Sequence, residues 1–218
     1  MAKVPAGDEY RADRTEDAFR SSWRRAWEAC TRPWLRRWLI FHPCGSHGAH
    51  VVGVDLSEAM LRAAQSHAKD TGESVVWCRA SAESLPFSSE SFDIIMTVTL
   101  LCFVKEPQRV VRETSRVLRS GGSLVIGELG RYSSWALSRR LRAWLGSRRW
   151  RDAHFWTTNE LLELLEQAGL RVRASRGCVY FPPISLAAQI LDEYDVAFSF
   201  LNQIGAAFLA IKGDKLAC

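Results

Sequence analysis

The chain has 218 residues, of which 47% are hydrophobic and 24% charged, and a net charge of +5; this composition excludes an intrinsically disordered protein. The length suits one α/β domain with some extra helix. The six cysteines form no C-x-x-C pair, so we expect reduced thiols in a cytoplasmic protein and no disulfide framework. The longest apolar run, residues 94–104, is too short to span a membrane, and the first residues do not resemble a signal peptide.

The first 50 residues are unusually rich in tryptophan and arginine. Four of the nine tryptophans lie within 16 positions at close to helical spacing, with five arginines among them: Trp23, Trp27, Trp34, Trp38, Arg24, Arg25, Arg32, Arg36 and Arg37. We therefore predict an atypical helical segment over residues 1–50. One interpretation is an amphipathic helix that binds a membrane surface or a partner. The other is a frame error, a gene-model error or a natural deletion, because a GC-rich gene read in the wrong frame also yields sequence dense in Trp and Arg.

This segment also contains a cluster of possible metal ligands that spans nine positions: His42, Cys44, His47 and His50. Ligands so close in sequence rarely complete a tetrahedral metal site without a second, distant pair. No metal site is therefore predicted.

Residues 51–55 predict a buried strand that ends in Asp55 and is followed at once by a helix. Ser57 can cap that helix, and four apolar residues fall on one helical face: Met60, Leu61, Ala64 and Ala68. Ligands of an open parallel sheet bind outside the carboxyl ends of its strands, and an acid at the end of the second strand can accept hydrogen bonds from both ribose hydroxyls of a nucleotide. The alternative is a surface aspartate in an ordinary strand-to-helix turn.

Further strands and one helix are predicted in the middle of the chain. Residues 74–78, 91–99 and 123–128 are short apolar strands, and those that are apolar on both faces suit the centre of a parallel sheet. A loop reading A-E-S-L-P-F follows the first of them, at residues 82–87. An amphipathic helix is predicted over residues 107–119 and is expected to end at Gly121-Gly122, with a buried stripe made of Val110, Val111, Thr114, Val117 and Leu118.

The last third of the chain opens with a strongly basic segment. Residues 131–151 contain seven arginines, no acid and three tryptophans. We predict that residues 131–156, here called the lid segment, cover an acceptor pocket. Arginines with interleaved aromatic residues would also suit a nucleic-acid surface. No nucleic-acid motif accompanies them, so we do not expect the protein to bind nucleic acid. Thr157 to Glu160 form a capping box for a helix ending at Gly169. Residues 171–181 and 206–211 are predicted as antiparallel strands at the edge of the sheet.

The order of these motifs resembles that of class I S-adenosylmethionine-dependent methyltransferases. The resemblance is closest to the small-molecule group that contains the ubiquinone and menaquinone methyltransferases, and it covers residues 51–212. It implies an α/β fold with a Rossmann-like, mostly parallel sheet, an antiparallel C-terminal edge and a first strand that is absent or irregular. It also implies a methyltransferase-like domain over residues 51–218, with S-adenosylmethionine as cofactor and a small molecule as methyl acceptor.

The resemblance also implies roles for single residues. Asp55 would bind the ribose hydroxyls, Leu56 and Ser57 would line the adenosine, and Ala82 with Glu83 would approach the adenine edge. Many relatives carry an aspartate where Ser81 stands, so one adenine contact is weakened here. Thr97, with the three residues after it, would lie under the methionine moiety. Candidates for a general base are Glu128, His154 and Tyr180, although a histidine beside aromatic residues is more often packed than catalytic, and no catalytic residue is assigned.

The glycine loop is where the sequence departs from the family. Relatives run from a first strand into a G-x-G-x-G loop, where glycine allows the backbone to approach the cofactor, and then into a helix. Here Cys44-Gly45-Ser46 resembles part of that loop, which makes Gly45 a candidate cofactor-binding residue, but His47 replaces a glycine. Only two residues separate Gly48 from Val51, whereas a parallel crossover needs at least about 10–12. The helix is therefore missing, and the first strand is either missing or replaced out of order.

Three functional hypotheses follow from the sequence. The first is a methyltransferase whose activity the lost loop would impair. The second is a non-catalytic relative that keeps the fold as a binding or regulatory module. The third is a nicotinamide-dependent Rossmann enzyme, which Asp55 would also suit but which the A-E-S-L-P-F loop and Gly121-Gly122 argue against. The identity of the acceptor and the oligomeric state are not indicated.

Overall fold

The computed structural model describes residues 38–41, 51–71, 74–180 and 204–216, and these residues contain a seven-stranded sheet. In the order β3-β2-β1-β4-β5-β7-β6, its strands are β1 (Trp38–Phe41), β2 (Val51–Asp55), β3 (Val75–Arg79), β4 (Phe92–Val98), β5 (Leu118–Leu129), β6 (Leu170–Cys178) and β7 (Phe208–Lys215). The pairs β2–β3 and β4–β5 are parallel, whereas β7 is antiparallel to both β5 and β6. The predicted Rossmann-like sheet with an antiparallel C-terminal edge is confirmed.

Five helices lie between the described strands. They are α1 (Glu58–Thr71), α2 (Pro107–Val117), α3 (Ser134–Trp144), α4 (Arg148–Arg151) and α5 (Thr158–Gln167). Within the described ranges, no helix is both long enough and apolar enough to cross a membrane. The core contains fully buried side chains from the central strands and from α5, among them Ile95, Leu124, Ile126, Leu161, Leu165 and Ile211.

The helix starts follow the capping residues identified in the sequence. Ser57 Oγ accepts a hydrogen bond from the Met60 backbone N–H at 3.4 Å at the start of α1, and Leu61, Ala64 and Ala68 are buried on one face of that helix. The capping box at α5 is complete, because Thr157 Oγ1 accepts from the Glu160 N–H while Glu160 accepts from the Thr157 N–H. These predictions are confirmed.

The predicted end of the second helix is wrong. α2 ends at Val117, and Leu118 already has the extended conformation of β5. Gly121 and Gly122 therefore lie inside β5 and do not terminate a helix. A Cβ on Gly122 would come within 2.8 Å of the Asp93 carbonyl oxygen, so the glycine here allows the close approach of β4 and β5.

The first strand is present in the sheet but runs in the reverse direction. β1 lies between β2 and β4 and is antiparallel to both, with Leu39 opposite Val54 and Trp38 opposite Val98. Only nine residues, 42–50, join Phe41 to Val51, which is too few for a parallel crossover but enough for an antiparallel connection. The sequence predicted a first strand that is either absent or irregular, and the strand is present and irregular in its direction. It also belongs to a stretch, residues 1–50, that the sequence assigned to a separate N-terminal segment.

The remaining N-terminal predictions lie outside the described residues. These are the helical segment before Trp38, the cluster of histidines and Cys44, and the loop around Gly45. The two described residues that flank the loop, Phe41 and Val51, lie at the amino ends of the parallel strands β2 and β4, since Phe41 is opposite Val52 and Ile95. This is the edge of the sheet opposite Asp55.

Cysteine cross-linking will test the direction of β1. Trp38→Cys combined with Val98→Cys should form a disulfide under mild oxidation, because opposing residues of an antiparallel pair have Cα atoms about 4.5–5.5 Å apart. The matched control combines Trp38→Cys with Ile95→Cys, which lie three positions apart along the register, or about 10 Å. Peptide mapping without reductant, with each single variant to account for the native thiols, distinguishes the two. A disulfide only in the second pair would mean that β1 is parallel.

Candidate functional site

The carboxyl end of β2 presents one buried carboxylate. Asp55 is 8% exposed, and its Oδ1 accepts a hydrogen bond from the Ser57 N–H at 2.7 Å. This bond fixes the carboxylate at the point where the strand turns into α1. Leu56 and Ser57 are exposed beside it. The structure therefore places the three residues at the edge of the sheet where the sequence predicted an adenosine site.

The loop after β3 is held against α2 by three charged side chains. Arg109 Nε donates to the Glu83 carbonyl at 3.1 Å, and Arg116 donates to the carbonyls of Leu85 and Phe87. Glu113 accepts the Leu85 N–H at 3.1 Å and is paired with Arg116 at 2.9 Å. The hydrogen bond from Arg116 lowers the pKa of Glu113, which keeps the carboxylate ionised in this network.

This loop begins next to Asp55. The Ala80 N–H, just after β3, donates to the Asp55 carbonyl at the end of β2 at 3.3 Å. Ala82 and Glu83 lie two and three residues beyond this bond in the chain. Ser81 Oγ accepts the Glu83 N–H at 3.2 Å. Ser81 thus contributes to the internal structure of the turn.

The end of β4 combines an unsatisfied hydroxyl with a strained backbone. Thr97 is 2% exposed, and its Oγ1 has no hydrogen-bond partner among the described residues. Thr99 has a φ of +48°, which is a left-handed conformation that a β-branched residue rarely adopts. The Thr99 N–H donates to the Gly127 carbonyl at 2.7 Å. Strain of this kind persists where surrounding bonds impose it, and it is concentrated at functional sites.

Glu128, at the carboxyl end of β5, fixes the loop that follows β4. Its carboxylate is fully buried and accepts hydrogen bonds from the N–H groups of Leu101 at 2.7 Å and Cys102 at 3.2 Å. Burial raises the pKa of Glu128 from its ordinary value of 4.5 to about 7, and these hydrogen bonds limit the rise. A carboxylate so engaged positions the loop, and the structure does not expose it to a substrate as a base.

His154 contacts the same loop from the lid segment. Its backbone N–H donates to the Cys102 carbonyl at 2.9 Å, and its ring packs edge-on against Trp156, 4.4 Å away between centroids. Its Nε2 lies 3.3 Å from the Arg131 guanidinium and 3.7 Å from Glu160. Partial burial and the Arg131 charge lower the pKa of His154, against the opposing effect of Glu160, which favours the neutral ring.

The third candidate base lies elsewhere. Tyr180 follows β6 and is half-buried beside Gly205, whose N–H donates to the Tyr132 carbonyl at 2.7 Å. Glu128 and His154 therefore both bind the backbone of Cys102. Tyr180 lies instead near the start of the lid segment, beside the Gly205 that binds Tyr132. The loop role of Glu128 was missed from sequence, although an acid inside a strand of apolar residues is a signal for a buried, hydrogen-bonded group.

A cavity of about 400 Å³ lies in the lid segment. It is lined by the side chains of α3, α4 and the extended residues that follow them, including Arg131, Arg140, Arg151, Trp150, His154 and Phe155. Sequence reasoning predicted a cover for an acceptor pocket over residues 131–156 but did not indicate which arginines would face a cavity.

The raised pKa of Glu128 predicts a pH dependence of stability. Between about pH 4.5 and pH 7 the carboxyl ionises in the unfolded chain but stays protonated in the folded one, so the free energy of unfolding should fall as pH rises through this window, by on the order of 3 kcal/mol, and level off above it. Glu128→Gln cannot ionise and should lose this part of the slope. Urea unfolding over a pH series will measure it, with the exposed Glu166→Gln as control. Equal slopes in Glu128→Gln and the parent protein would contradict the assignment.

Comparison with known proteins agrees with this geometry. Residues 38–126 match the family described as a methyltransferase domain. The chain is 34% identical over 174 residues to the ubiquinone biosynthesis O-methyltransferase of Ruegeria pomeroyi, covering 75% of this chain and 67% of that protein. It is 38% identical over 164 residues to an uncharacterized protein of Mycobacterium tuberculosis, covering 75% of this chain but only 55% of the relative. The chain thus spans about half the length of that relative.

A solved structure gives the same result. A Thermotoga maritima protein described as an S-adenosylmethionine-dependent methyltransferase, possibly a histamine N-methyltransferase, superposes with a TM-score of 0.54 at 28% identity, covering 74% of this chain and 72% of that one. The chain belongs to the class I S-adenosylmethionine-dependent methyltransferases.

Proposed function

We propose that the chain transfers a methyl group from S-adenosylmethionine to a small-molecule acceptor. The observation that carries this proposal is the buried Asp55 carboxylate, oriented by the Ser57 N–H at the carboxyl end of β2. An acid at the end of the second strand can accept hydrogen bonds from both ribose hydroxyls of a nucleotide, and the bond from Ser57 holds the Asp55 carboxylate in place for that role. A cytoplasmic location stays a prediction from the cysteine pattern.

The other residues of this edge supply the rest of the cofactor site. Leu56 and Ser57 would line the adenosine, and the loop held by Arg109 and Arg116 would bring Ala82 and Glu83 to the adenine edge. Thr97, at the carboxyl end of β4, would lie under the methionine moiety. The adenosine half of the cofactor therefore fits the described residues well.

The methionine half fits less well. In relatives, the first strand delivers a glycine loop to this edge, whereas here β1 begins at the edge with Trp38 and leads away from it. Gly45 stays a prediction, because it lies outside the described residues and its described flanks are at the opposite edge. We propose that the cofactor is held mainly through its adenosine and that its affinity is reduced accordingly.

The chemistry would depend on position more than on acid–base groups. The bound cofactor supplies an electrophilic sulfonium methyl group. The protein must align the acceptor with it in a dry site, and alignment can contribute about 7–11 kcal/mol of the barrier. The loop of residues 99–103 would hold this geometry through Glu128 and His154, which we regard as positioning residues.

The reversed β1 also favours a second candidate function. A methyltransferase fold without its glycine loop could serve as a non-catalytic binding or regulatory module. The two functions differ in whether the methyl group leaves the cofactor. Transfer of labelled methyl from S-adenosylmethionine to a panel of hydroxyl, amine and carboxylate acceptors, with the parent protein and Asp55→Ala, separates them. Cofactor binding without transfer to any acceptor would favour the non-catalytic module.

Asp55→Ala should weaken S-adenosylmethionine binding more than tenfold. The change removes the acceptor for two hydroxyls, and a hydrogen bond to a charged group is worth about 1.5–3 kcal/mol. Isothermal titration calorimetry will measure the affinity, and Asp70→Ala, which removes an exposed carboxylate of α1, is the matched control. Unchanged affinity in Asp55→Ala would place the adenosine site elsewhere and refute the proposal.

A further inference from the structure

We propose that the cavity in the lid segment is a binding site for a small anion that carries a carboxylate or phosphate group next to an apolar or aromatic body. As a site for the methyl acceptor, this inference rests on the proposed function; as an anion site, it stands on the cavity alone.

The lining of the cavity carries positive charge in excess. Three of its side chains are arginines, and none is acidic. Arg131 is neutralised, because its guanidinium donates to Glu160 at 2.7 Å and to the Phe155 carbonyl at 2.8 Å. Among the described residues, neither Arg140 nor Arg151 forms an ion pair with a carboxylate. Two arginines without a carboxylate partner among the described residues therefore line the same cavity, and a guanidinium binds planar carboxylates and phosphates by paired hydrogen bonds.

The aromatic side chains of the cavity are held in place. The Arg140 guanidinium lies 5.3 Å from the centre of the Phe155 ring, and the Arg139 guanidinium lies 5.1 Å from that of Trp150. The Trp150 ring also packs against Phe103, at 6.2 Å between centroids. Phe155 is only 5% exposed and Arg140 covers its ring, so the partly exposed Trp150 ring is the aromatic surface beside the two arginines. The Trp150 ring in this position suits a ligand with a flat or apolar body attached to the anionic group.

The cavity lies beside the carboxyl ends of β4 and β5. Three of its lining residues, 153–155, are joined to the loop after β4 by the bond from the His154 N–H to the Cys102 carbonyl. The next residue, Trp156, donates its N–H to the Leu129 carbonyl at 2.8 Å at the end of β5. Phe103, which supports Trp150, belongs to the same loop. A ligand in this cavity would therefore lie next to the loop that Glu128 positions.

The main alternative is that the arginines are an ordinary solvated surface. Two neighbours on α3 provide the comparison. Arg140 and Arg142 are both exposed on this helix, but only Arg140 lines the cavity. Both substitutions to alanine remove one positive charge from one helix. If the cavity binds anions, Arg140→Ala will weaken anion binding and Arg142→Ala will not; on an ordinary solvated surface the two substitutions will have the same effect.

Calorimetry on the full chain without S-adenosylmethionine will test the anion site. The probes are benzoate, phenyl phosphate and the neutral benzyl alcohol. We expect saturable binding of at least one anion, with the first two probes telling a carboxylate site from a phosphate site, and at least tenfold weaker binding of benzyl alcohol. Added salt should weaken anion binding. Because the cofactor is absent, this result does not depend on methyl transfer.

Three variants then locate the site. Arg140→Ala and Arg151→Glu should each reduce anion affinity at least fivefold, while Arg142→Ala should leave it within twofold. Arg151 is exposed, so Arg151→Glu should fold even if loss of the Arg140–Phe155 contact destabilises Arg140→Ala, and melting temperatures will confirm this. An equal loss in Arg142→Ala, equal binding of benzyl alcohol, or no saturable anion binding at millimolar concentration would overturn the proposal. So would tighter binding of a single-stranded oligonucleotide that Arg142→Ala weakens as strongly as Arg140→Ala.

Discussion

The nine residues between Phe41 and Val51 impose the constraint on which the rest of the sheet depends. They cannot form a helical crossover, so a strand beside β2 must run antiparallel to it. β1 joins two parts of the sheet that otherwise share no strand: β3 and β2 on one side, and β4, β5, β7 and β6 on the other. A two-stranded pair such as β2–β3 is marginal alone. Placing any strand in this slot, even a reversed one, therefore protects the pair that carries Asp55.

The other half of the site depends on buried hydrogen bonds at the carboxyl end of β5. Glu128 holds the N–H groups of Leu101 and Cys102, and the Cys102 carbonyl in turn receives the His154 N–H. One short loop is thus bound from the core and from the lid segment together. The positive φ of Thr99 is tolerated because these bonds over-determine the turn. Cys102 is 1% exposed, so its thiol serves packing and is protected from oxidants.

Local patterns predicted much of this architecture, and the misses have physical causes. Alternation, capping residues and the apolar stripe of α2 depend on neighbours in sequence, so Thr157–Glu160 and Val110–Val117 were predicted correctly. The end of α2 was predicted wrongly, because Gly122 is needed for the close approach of Asp93 on the neighbouring strand and does not end the helix. Counting residues excluded a parallel first strand but could not tell a reversed strand from a missing one. Glu128 resembled a candidate base because its backbone partners lie 26 and 27 residues away.

Glu160 links the lid segment to the helix that follows it. One carboxylate oxygen accepts from the Thr157 N–H at 2.7 Å as part of the capping box of α5, and the other accepts from Arg131 at 2.7 Å. The first turn of α5 and the first residue of the lid segment therefore share a single side chain. Releasing Arg131 exposes that carboxylate to water and weakens the helix start, and fraying the helix start frees Arg131. These two regions should consequently open as one cooperative unit, with common rates of amide hydrogen exchange, while the sheet beneath them stays closed.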